Sequence, residues 1–207
     1  MIFENRFEAA NKLLTALATY ARKHNVIIMA IPRGGLELGY ILAQGLKAPL
    51  DVIFAKKISY PGEPEYAIGA VTTDEIIMTR PPEITPEYID NEIKTVRKKI
   101  TSQEWLYKPA RPVLDYRNKI IILVDDGIAT GKTVAVALKA LRKLQPQELI
   151  LAVPVSSASS LAYVKPFADK TICLMVPETF FGIGQFYKNF PQVSDEDAIS
   201  LLRKSNL

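Results

Sequence analysis

Five short runs of aliphatic residues constrain the fold of this chain more than any other feature. They lie at residues 26–31, 50–55, 120–124, 149–155 and 171–176. They show little alternation of polar and apolar side chains, which is typical of strands buried on both faces of a parallel sheet. Helical patterns lie between them, at residues 36–46, 133–144 and 157–165. This order predicts an α/β fold with a doubly wound, mostly parallel sheet flanked by helices.

Three further segments depart from this alternation. Residues 3–23 carry apolar side chains at helical spacing and predict an amphipathic opening helix. Residues 58–78 contain a loop rich in Pro, Gly and Glu and then two apolar runs, which predict a β-hairpin beside the sheet. Residues 85–108 predict a long polar helix, with Thr85 as N-cap and Pro86 at the first helical position.

The C-terminal part of the chain has its own character. Aromatic residues and glycine are concentrated at residues 177–190. A short helix follows, which Ser194 opens, and Asp195 and Glu196 interact favourably with the dipole of its first turn. By length alone, 207 residues form one large domain or two small ones.

The composition excludes several classes of site. The chain has one cysteine, Cys173, and one histidine, His24. An intramolecular disulfide and a zinc cluster of His and Cys are therefore excluded, and a Ser-His-Asp or Cys-His site has only one candidate base. The net charge of +4 comes from scattered Lys and Arg residues. This charge permits an anionic ligand, and we do not expect nucleic acid as a partner.

The N-terminal residues and the lengths of the apolar runs indicate where in the cell the protein is expected. Glu4, Arg6 and Glu8 occupy positions where a signal peptide would carry its apolar stretch. The longest apolar runs are far shorter than the ~20 residues that a membrane-spanning helix requires. From these features we expect a cytoplasmic protein with no membrane partner.

The segment with the most informative candidate site residues is 121–133, IILVDDGIATGKT. In an open α/β sheet, ligands bind at the carboxyl ends of the strands, which is where Asp125 and Asp126 must lie. Gly127 and Gly131 permit backbone angles and close approaches that other residues resist. The segment therefore predicts a strand that ends in two acids and a tight turn that leads into a helix.

The turn predicts a phosphate site. Successive backbone N–H groups and the N-terminus of the following helix favour an anion there. The hydroxyls of Thr130 and Thr133 add donors, and Lys132 adds positive charge. Carboxylates beside an anion site repel the ligand unless they accept hydrogen bonds from its hydroxyls or help to hold a divalent cation. A phosphorylated sugar with a vicinal diol meets both conditions.

Two alternative interpretations of the turn stay open. The acids can simply end a strand and cap the next helix. A Walker-type nucleotide loop, GxxxxGK[ST], is the second alternative, because residues 131–133 read GKT. Its spacing fails by one residue, since the position five before Gly131 is Asp126 and Gly127 comes one residue too late.

In length, order and strand–loop–helix context, residues 121–133 resemble the thirteen-residue phosphoribosyl pyrophosphate (PRPP) motif of the type I phosphoribosyltransferases. Residues 32–35, PRGG, resemble the pyrophosphate-binding loop of that family. Residues 55–71 resemble its basic strand end, mobile loop and hairpin, and residues 180–190 resemble the hood that covers the base. The resemblance implies a single domain over residues 1–207, in which residues 177–207 and the N-terminal helix form the hood.

The resemblance also implies a role for each matching position. Asp125 and Asp126 would hold the ribose 2′- and 3′-hydroxyls and would be the protein ligands of Mg²⁺. The 5′-phosphate would be bound by the turn and the start of its helix, which are Gly127, Ile128, Ala129, Thr130, Gly131, Lys132 and Thr133. The pyrophosphate would meet Arg33, Gly34 and Gly35, with a non-proline cis peptide between Pro32 and Arg33.

Three further assignments depend on the same resemblance. One of Lys56 and Lys57 would reach the ligand, because neighbouring residues of a strand point to opposite faces. Residues 58–66 would form a lid that excludes water. Phe180 would stack on the acceptor base.

The reaction implied is displacement of pyrophosphate from ribose C1 by a nucleobase-like acceptor, with Mg²⁺ and without a covalent nucleophile. Asp125, Asp126, Arg33 and Lys57 would be the catalytic groups. No residue distinguishes a purine from a pyrimidine or orotate. The alternative function is a PRPP-sensing regulator of the same fold that binds RNA or DNA. A homodimer is the expected assembly, because dimers are common in the family.

Overall fold

A computed structural model of the chain describes residues 2–21, 23–79 and 81–206. The described residues form six α-helices and eight β-strands. The helices are α1 (Arg6–Ala16), α2 (Gly35–Leu46), α3 (Pro86–Tyr107), α4 (Lys132–Arg142), α5 (Ala158–Val164) and α6 (Asp195–Ser205). The strands are β1 (Val26–Ala30), β2 (Leu50–Val52), β3 (Lys56–Tyr60), β4 (Glu63–Val71), β5 (Ile76–Met78), β6 (Ile120–Val124), β7 (Glu148–Val155) and β8 (Lys170–Met175).

The main sheet has five parallel strands in the order β2-β1-β6-β7-β8. This confirms the predicted α/β fold with a parallel sheet flanked by helices. The chain runs outward from β1 to β2, and then returns to place β6 on the other side of β1. The boundary between β1 and β6 is therefore the switch point of the sheet, where ligands bind in open α/β folds.

Both faces of β6 are buried, which explains its uninterrupted aliphatic sequence. Ile120, Ile122 and Val124 pack in a core that includes residues of α1, α2, α3 and α6. Ile121 and Leu123 pack on the opposite face, with residues of α4 and α5. Burying a large aliphatic side chain contributes about 1.5–3 kcal/mol, so these residues hold β6 firmly at the centre of the sheet.

The predicted hairpin is a separate antiparallel sheet of three strands, in the order β3-β4-β5. The predicted second strand, residues 50–55, was too long at its C-terminal end. Strand β2 ends at Val52, where the chain leaves the main sheet. The ring of Phe54 then packs almost perpendicular to the ring of Tyr107 in α3, with ring centroids 5.1 Å apart. Lys56 and Lys57 consequently begin β3 rather than end β2.

Side-chain caps set the starts of several helices. The hydroxyl of Thr85 accepts the backbone N–H of Tyr88, with Pro86 in the first turn, as predicted for α3. Ser194 caps α6 in the same way through the N–H of Asp197. Helix α1 is shorter than predicted, since the chain tightens after Ala16 into a 3-10 turn at Ala18–Tyr20. No helix in the described parts of the chain is both long enough and apolar enough for a membrane span.

A buried carboxylate anchors the edge strand β2. Asp51 is fully buried, and both of its oxygens bind the guanidinium of Arg111 at 2.8 Å. The hydroxyl of Tyr116 donates to the same carboxylate at 2.5 Å. Because the charge is paired and hydrogen-bonded on several sides, its burial is tolerated, and the segment before β6 is fastened to the edge of the sheet.

Glu75 ties the small sheet to α4. Its buried carboxylate forms an ion pair with Lys139 at 2.9 Å and another with Lys143. Hydrogen bonds from Lys143 and then Lys139 hold the pKa of Glu75 below its usual range, against the effect of burial. The turn between β4 and β5 is therefore held against the C-terminal end of α4.

We expect the change Glu75→Gln to lower the free energy of unfolding by about 1 kcal/mol near neutral pH, because the lysine partners are partly exposed and screened by solvent. This corresponds to a loss of about 2–4 °C in Tm. A carboxylate with a lowered folded pKa stabilises the fold above its unfolded pKa, and this stabilisation is lost as the pH falls through the folded pKa. Thermal melts at neutral and acidic pH should show the difference narrowing on acidification; a difference independent of pH would contradict the assignment.

Candidate functional site

The switch point of the sheet brings two predicted loops together. Ala30 of β1 pairs with Val124 of β6, so the residues that follow each strand emerge side by side. On the β1 side these are Pro32 and Arg33, and the peptide bond between them is cis, as predicted. On the β6 side they are Asp125 and Asp126. The predicted pyrophosphate loop and the predicted sugar-binding acids are therefore neighbours.

A cleft of about 350 Å³ opens between these loops. Most of the predicted site residues line it, namely Arg33, Gly34, Lys57, Asp125, Asp126, residues 127–131 and Thr133. Ala67 of β4 closes one side, and Ile183 of the C-terminal segment, residues 177–206, closes another. Gly35, Lys56, Lys132 and Phe180 are not part of the lining.

The turn after β6 has the geometry of an anion cup. Gly131 is the N-cap of α4 with φ of +79°, a left-handed conformation that favours glycine. The backbone N–H of Ile128 donates to the carbonyl of Val155, and the hydroxyl of Ser160 donates to the carbonyl of Ala129 at 2.5 Å. These bonds fasten the turn to the end of β7 and to α5. The first turn of α4 then directs its N–H groups and the positive end of its dipole toward the cleft.

The two adjacent acids are both largely buried at the floor of the cleft. Asp125 Oδ1 accepts the backbone N–H of Asp126 at 2.9 Å. Burial raises the pKa of Asp125, and the charge of Asp126 raises it further. Burial also raises the pKa of Asp126, although the Arg6 guanidinium, 2.8 Å from Asp126 Oδ2, opposes this rise. Two carboxylates this close favour a ligand that brings hydroxyl donors or positive charge.

The donor set fits Mg²⁺ only in part. In the described parts of the chain, no three His, Cys, Asp or Glu side chains converge as metal ligands. Mg²⁺ commonly binds through one or two carboxylates, with water and substrate phosphate oxygens completing its shell. Asp125 and Asp126 match that pattern, so they fit an ion that arrives with a diphosphate rather than one held by the protein alone.

Basic residues surround the cleft on the side of the pyrophosphate loop. Lys57 lines both the cleft and a neighbouring depression, whereas Lys56 lines only the neighbouring depression, together with Lys99. Burial lowers the pKa of Lys56, and the nearby charges of Arg33 and Lys99 lower it further, although Asp195 opposes them. Arg33 itself lies 3.6 Å from Asp195 Oδ2. This side of the site therefore has more positive than negative charge and suits a polyanion.

Three predicted residues have other contacts. The ammonium of Lys132 donates to the carbonyl of Ala67 at 2.6 Å, which ties α4 to β4. A Cβ on Gly35 would lie 3.0 Å from the carbonyl of Val124, so this glycine lets α2 approach the end of β6. Phe180 stacks on Phe186, with ring centroids 5.4 Å apart.

The sequence interpretation missed Arg6. This residue is buried, and its side chain binds Asp126, although the two residues are 120 positions apart. The sequence contains a signal for this buried contact, because one face of the predicted helix includes Arg6 together with Ala9, Ala10 and Leu13. A charged residue in such a face needs a buried partner.

Comparisons with known proteins show the family to which this chain belongs. A model of the phosphoribosyl transferase domain matches residues 2–187. Two Mycobacterium tuberculosis proteins, named provisionally as phosphoribosyl transferases, are 30% identical over 210 aligned residues. The alignments cover 99% of this chain and 47% of each relative, so the chain spans about half the length of those proteins.

Solved structures share the fold. The crystal structure of TT1426 from Thermus thermophilus is 31% identical, with a TM-score of 0.82 and coverage of 99% of both chains. A Neisseria gonorrhoeae protein solved with bound ppGpp has a TM-score of 0.53 at 16% identity, with coverage of 99% of this chain and 98% of that one, which shows likeness of fold alone. Given the extent of the family match and the parallel sheet with its acid-and-turn segment, this chain belongs to the phosphoribosyl transferase domain family.

Proposed function

We propose that this protein transfers the 5-phosphoribosyl group of PRPP to a nucleobase-like acceptor and releases pyrophosphate. The observation that carries the proposal is the placement of Asp125 and Asp126 in one cleft with the phosphate turn, Arg33 and Lys57. A ligand that fits this cleft must combine an anion with hydroxyl groups, and it must bear a second anion near Arg33. PRPP has all three parts.

Each part of PRPP meets a group of suitable chemistry. The 5′-phosphate would accept hydrogen bonds from the backbone N–H groups of residues 127 and 129–131, because the N–H of Ile128 already binds the carbonyl of Val155. The hydroxyls of Thr130 and Thr133 would add further donors. The ribose hydroxyls would donate to Asp125 and Asp126. The pyrophosphate would lie against Arg33, Gly34 and Lys57, where the positive charge is concentrated.

The reaction would form a bond between an acceptor nitrogen and ribose C1. The bond from C1 to the pyrophosphate oxygen would break, and its electron pair would leave with pyrophosphate. Arg33 and Lys57 would stabilise the negative charge that grows on the leaving group, and the acid pair would favour the positive charge that grows on the ring. Mg²⁺, when bound with PRPP, supplies further positive charge to the diphosphate.

The acceptor would lie under the C-terminal segment, which contacts the cleft through Ile183. Phe180 would face the base only if it left its stack on Phe186. Residues 58–66, the predicted lid, would exclude water from the activated sugar. They are not an open loop but the end of β3, a turn that contains Gly62 with φ of +78°, and the start of β4. In this proposal, residues 1–207 act as one domain.

The contact of Lys132 weighs against the Walker interpretation. In such loops the lysine reaches the nucleotide phosphates. Here the ammonium binds the carbonyl of Ala67, and the residue is absent from the lining of the cleft. Tighter binding of ATP than of PRPP would nevertheless revive that alternative.

We expect PRPP with Mg²⁺ to raise the Tm of the purified protein. A ligand at 100 times its Kd adds ~2.7 kcal/mol of stability, which corresponds to about 5–10 °C for a chain of this length. Pyrophosphate release should then be measured with PRPP and a panel of purine, pyrimidine and orotate acceptors. No shift with PRPP would overturn the proposed function. A shift without turnover of any acceptor would favour the regulator.

A further inference from the structure

We infer that Arg6 is a positioning residue, which holds the Asp126 carboxylate in place for the sugar and links it to the C-terminal segment. The inference rests on the proposed function, because it assigns the orientation of a group that would bind ribose. Arg6 does not line the cleft itself, so it would act through Asp126.

The guanidinium of Arg6 joins three parts of the molecule. Its Nε donates to Asp126 Oδ2 at 2.8 Å, which engages the turn after β6. Its Nη1 donates to Glu37 of α2 at 3.1 Å and to the carbonyl of Pro191 at 2.8 Å. A planar guanidinium with donors in fixed directions can make these contacts at once, which the single ammonium of lysine reproduces poorly.

An aromatic stack reinforces the link to the C-terminal segment. The Arg6 guanidinium lies 3.8 Å from the ring centroid of Phe190. Phe190 in turn stacks on Tyr187, with centroids 4.8 Å apart and planes at 24°. The Tyr187 hydroxyl donates to the backbone carbonyl of Asp126 at 2.7 Å. The C-terminal segment is therefore connected to Asp126 in two ways. Arg6 of α1 links the segment to the Asp126 side chain, and Tyr187 binds the Asp126 backbone directly.

The side of Asp126 that Arg6 occupies also borders the predicted pyrophosphate loop. A Cβ built on Gly34 would lie 2.1 Å from Asp126 Oδ2 and 3.2 Å from Arg6 Nε. The carboxylate is thus confined between Arg6 and the backbone of Gly34, and its orientation is fixed before any ligand binds. Such preorganisation saves the cost of ordering the group during binding.

The carboxylates near Arg6 carry more negative charge than one guanidinium balances, so Asp126 depends on Arg6 for its position. The Arg6 guanidinium forms ion pairs with Asp126 and Glu37, the charge of Asp125 lies nearby, and the Arg6 side chain is only 6% exposed. Without this charge, Asp126 would be repelled by Asp125 and would have little water to stabilise it. We expect its side chain then to turn away and to lose its hydrogen bond to the ribose.

The test measures the affinity for PRPP with Mg²⁺ and, separately, for pyrophosphate without Mg²⁺, so that no metal ion links the pyrophosphate to the acid pair. We expect Arg6→Gln to weaken PRPP binding by about 10- to 100-fold, as for other residues that orient a ligating group. Pyrophosphate binding, which does not use the acid pair, should change less than about threefold. Arg6→Lys should recover part of the PRPP affinity and serves as the test variant if the glutamine variant fails to fold.

A double-mutant cycle with Asp126→Asn separates positioning from general damage. In the Asp126→Asn background, Arg6→Gln should cost little further PRPP affinity, because the group that Arg6 holds has already been changed. Arg111→Gln is the matched control, because it also separates an arginine from a buried aspartate, but at the edge strand β2. This variant should lower Tm and leave the PRPP affinity unchanged.

Two results would overturn the inference while leaving the proposed function standing. One is unchanged PRPP affinity in Arg6→Gln. The other is an equal loss of PRPP and pyrophosphate affinity that persists in the Asp126→Asn background. Absence of PRPP binding by the unaltered protein would instead overturn the proposed function, and the inference with it.

Discussion

Replacing both Asp125 and Asp126 by asparagine should weaken Mg²⁺-dependent PRPP binding by more than about 100-fold. In the proposed complex, each carboxylate accepts a hydrogen bond from a ribose hydroxyl. A hydrogen bond to a charged group contributes about 1.5–3 kcal/mol, so the two together contribute at least about 3 kcal/mol. Since about 1.4 kcal/mol is tenfold in affinity, isothermal titration calorimetry should resolve this loss easily.

The double variant should still fold. An amide oxygen at position 125 can accept the backbone N–H of residue 126, as the carboxylate does now at 2.9 Å. The change also removes the repulsion between two buried neighbouring charges, so Tm should not fall by more than a few degrees. Asp115→Asn is the control, because Asp115 is exposed and lies before β6, near the N-terminal ends of the strands and away from the cleft. PRPP affinity that survives in the double variant would rule out the proposed role of the acid pair.

Gly34→Ala should be nearly as damaging, although it adds only one methyl group. The new Cβ would lie 2.1 Å from Asp126 Oδ2 and 2.9 Å from its Cγ, so the carboxylate or the loop must move. Overpacking of this kind costs about 1–3 kcal/mol of stability. A displacement of about 1 Å in a binding group can cost about 100-fold, and we expect a loss of PRPP affinity of that order.

Gly45→Ala is the matched control for this change. Its Cβ would also collide, at 2.3 Å from Leu14 Cδ2, but the contact lies between α1 and α2 and outside the cleft. This variant should shift Tm and leave PRPP affinity within about twofold of the original. If Gly34→Ala bound PRPP as tightly as Gly45→Ala, the close approach of Gly34 to Asp126 would have no functional meaning.

Local sequence patterns predicted most of the sheet. The aliphatic run at residues 120–124 gave the bounds of β6, because a strand buried on both faces has no polar interruptions and ends where polar residues begin. Thr85 and Ser194 predicted the starts of two helices, because a capping hydroxyl acts within three residues. The cis bond at Pro32–Arg33 followed from the family resemblance and was found.

Contacts between distant residues limited what could be predicted. The partner of Lys132 is the carbonyl of Ala67, 65 residues away, and no local pattern places β4 beside α4. The turn after Val52 depends on where Phe54 meets α3, which the composition of residues 50–55 does not indicate. The contact between Arg6 and Asp126 spans 120 residues and was missed for the same reason. The roles of the site residues remain predictions that the variants above would test.

The pairing of the N-terminal residues with the C-terminal segment has a consequence for biosynthesis. Phe3 exchanges backbone hydrogen bonds with residues 186 and 188, at 2.8 and 2.9 Å, and Arg6 holds the carbonyl of Pro191. A ribosome makes the chain from its N-terminus, so Arg6 emerges long before the residues that complete its surroundings. When β6 and its turn have just left the ribosome, the nascent chain already contains Asp125 and Asp126. It still lacks Tyr187 and Phe190, whose aromatic stack lies against Arg6. We therefore expect sugar-phosphate binding to be acquired only after residues 186–191 have been translated and have packed beside Arg6.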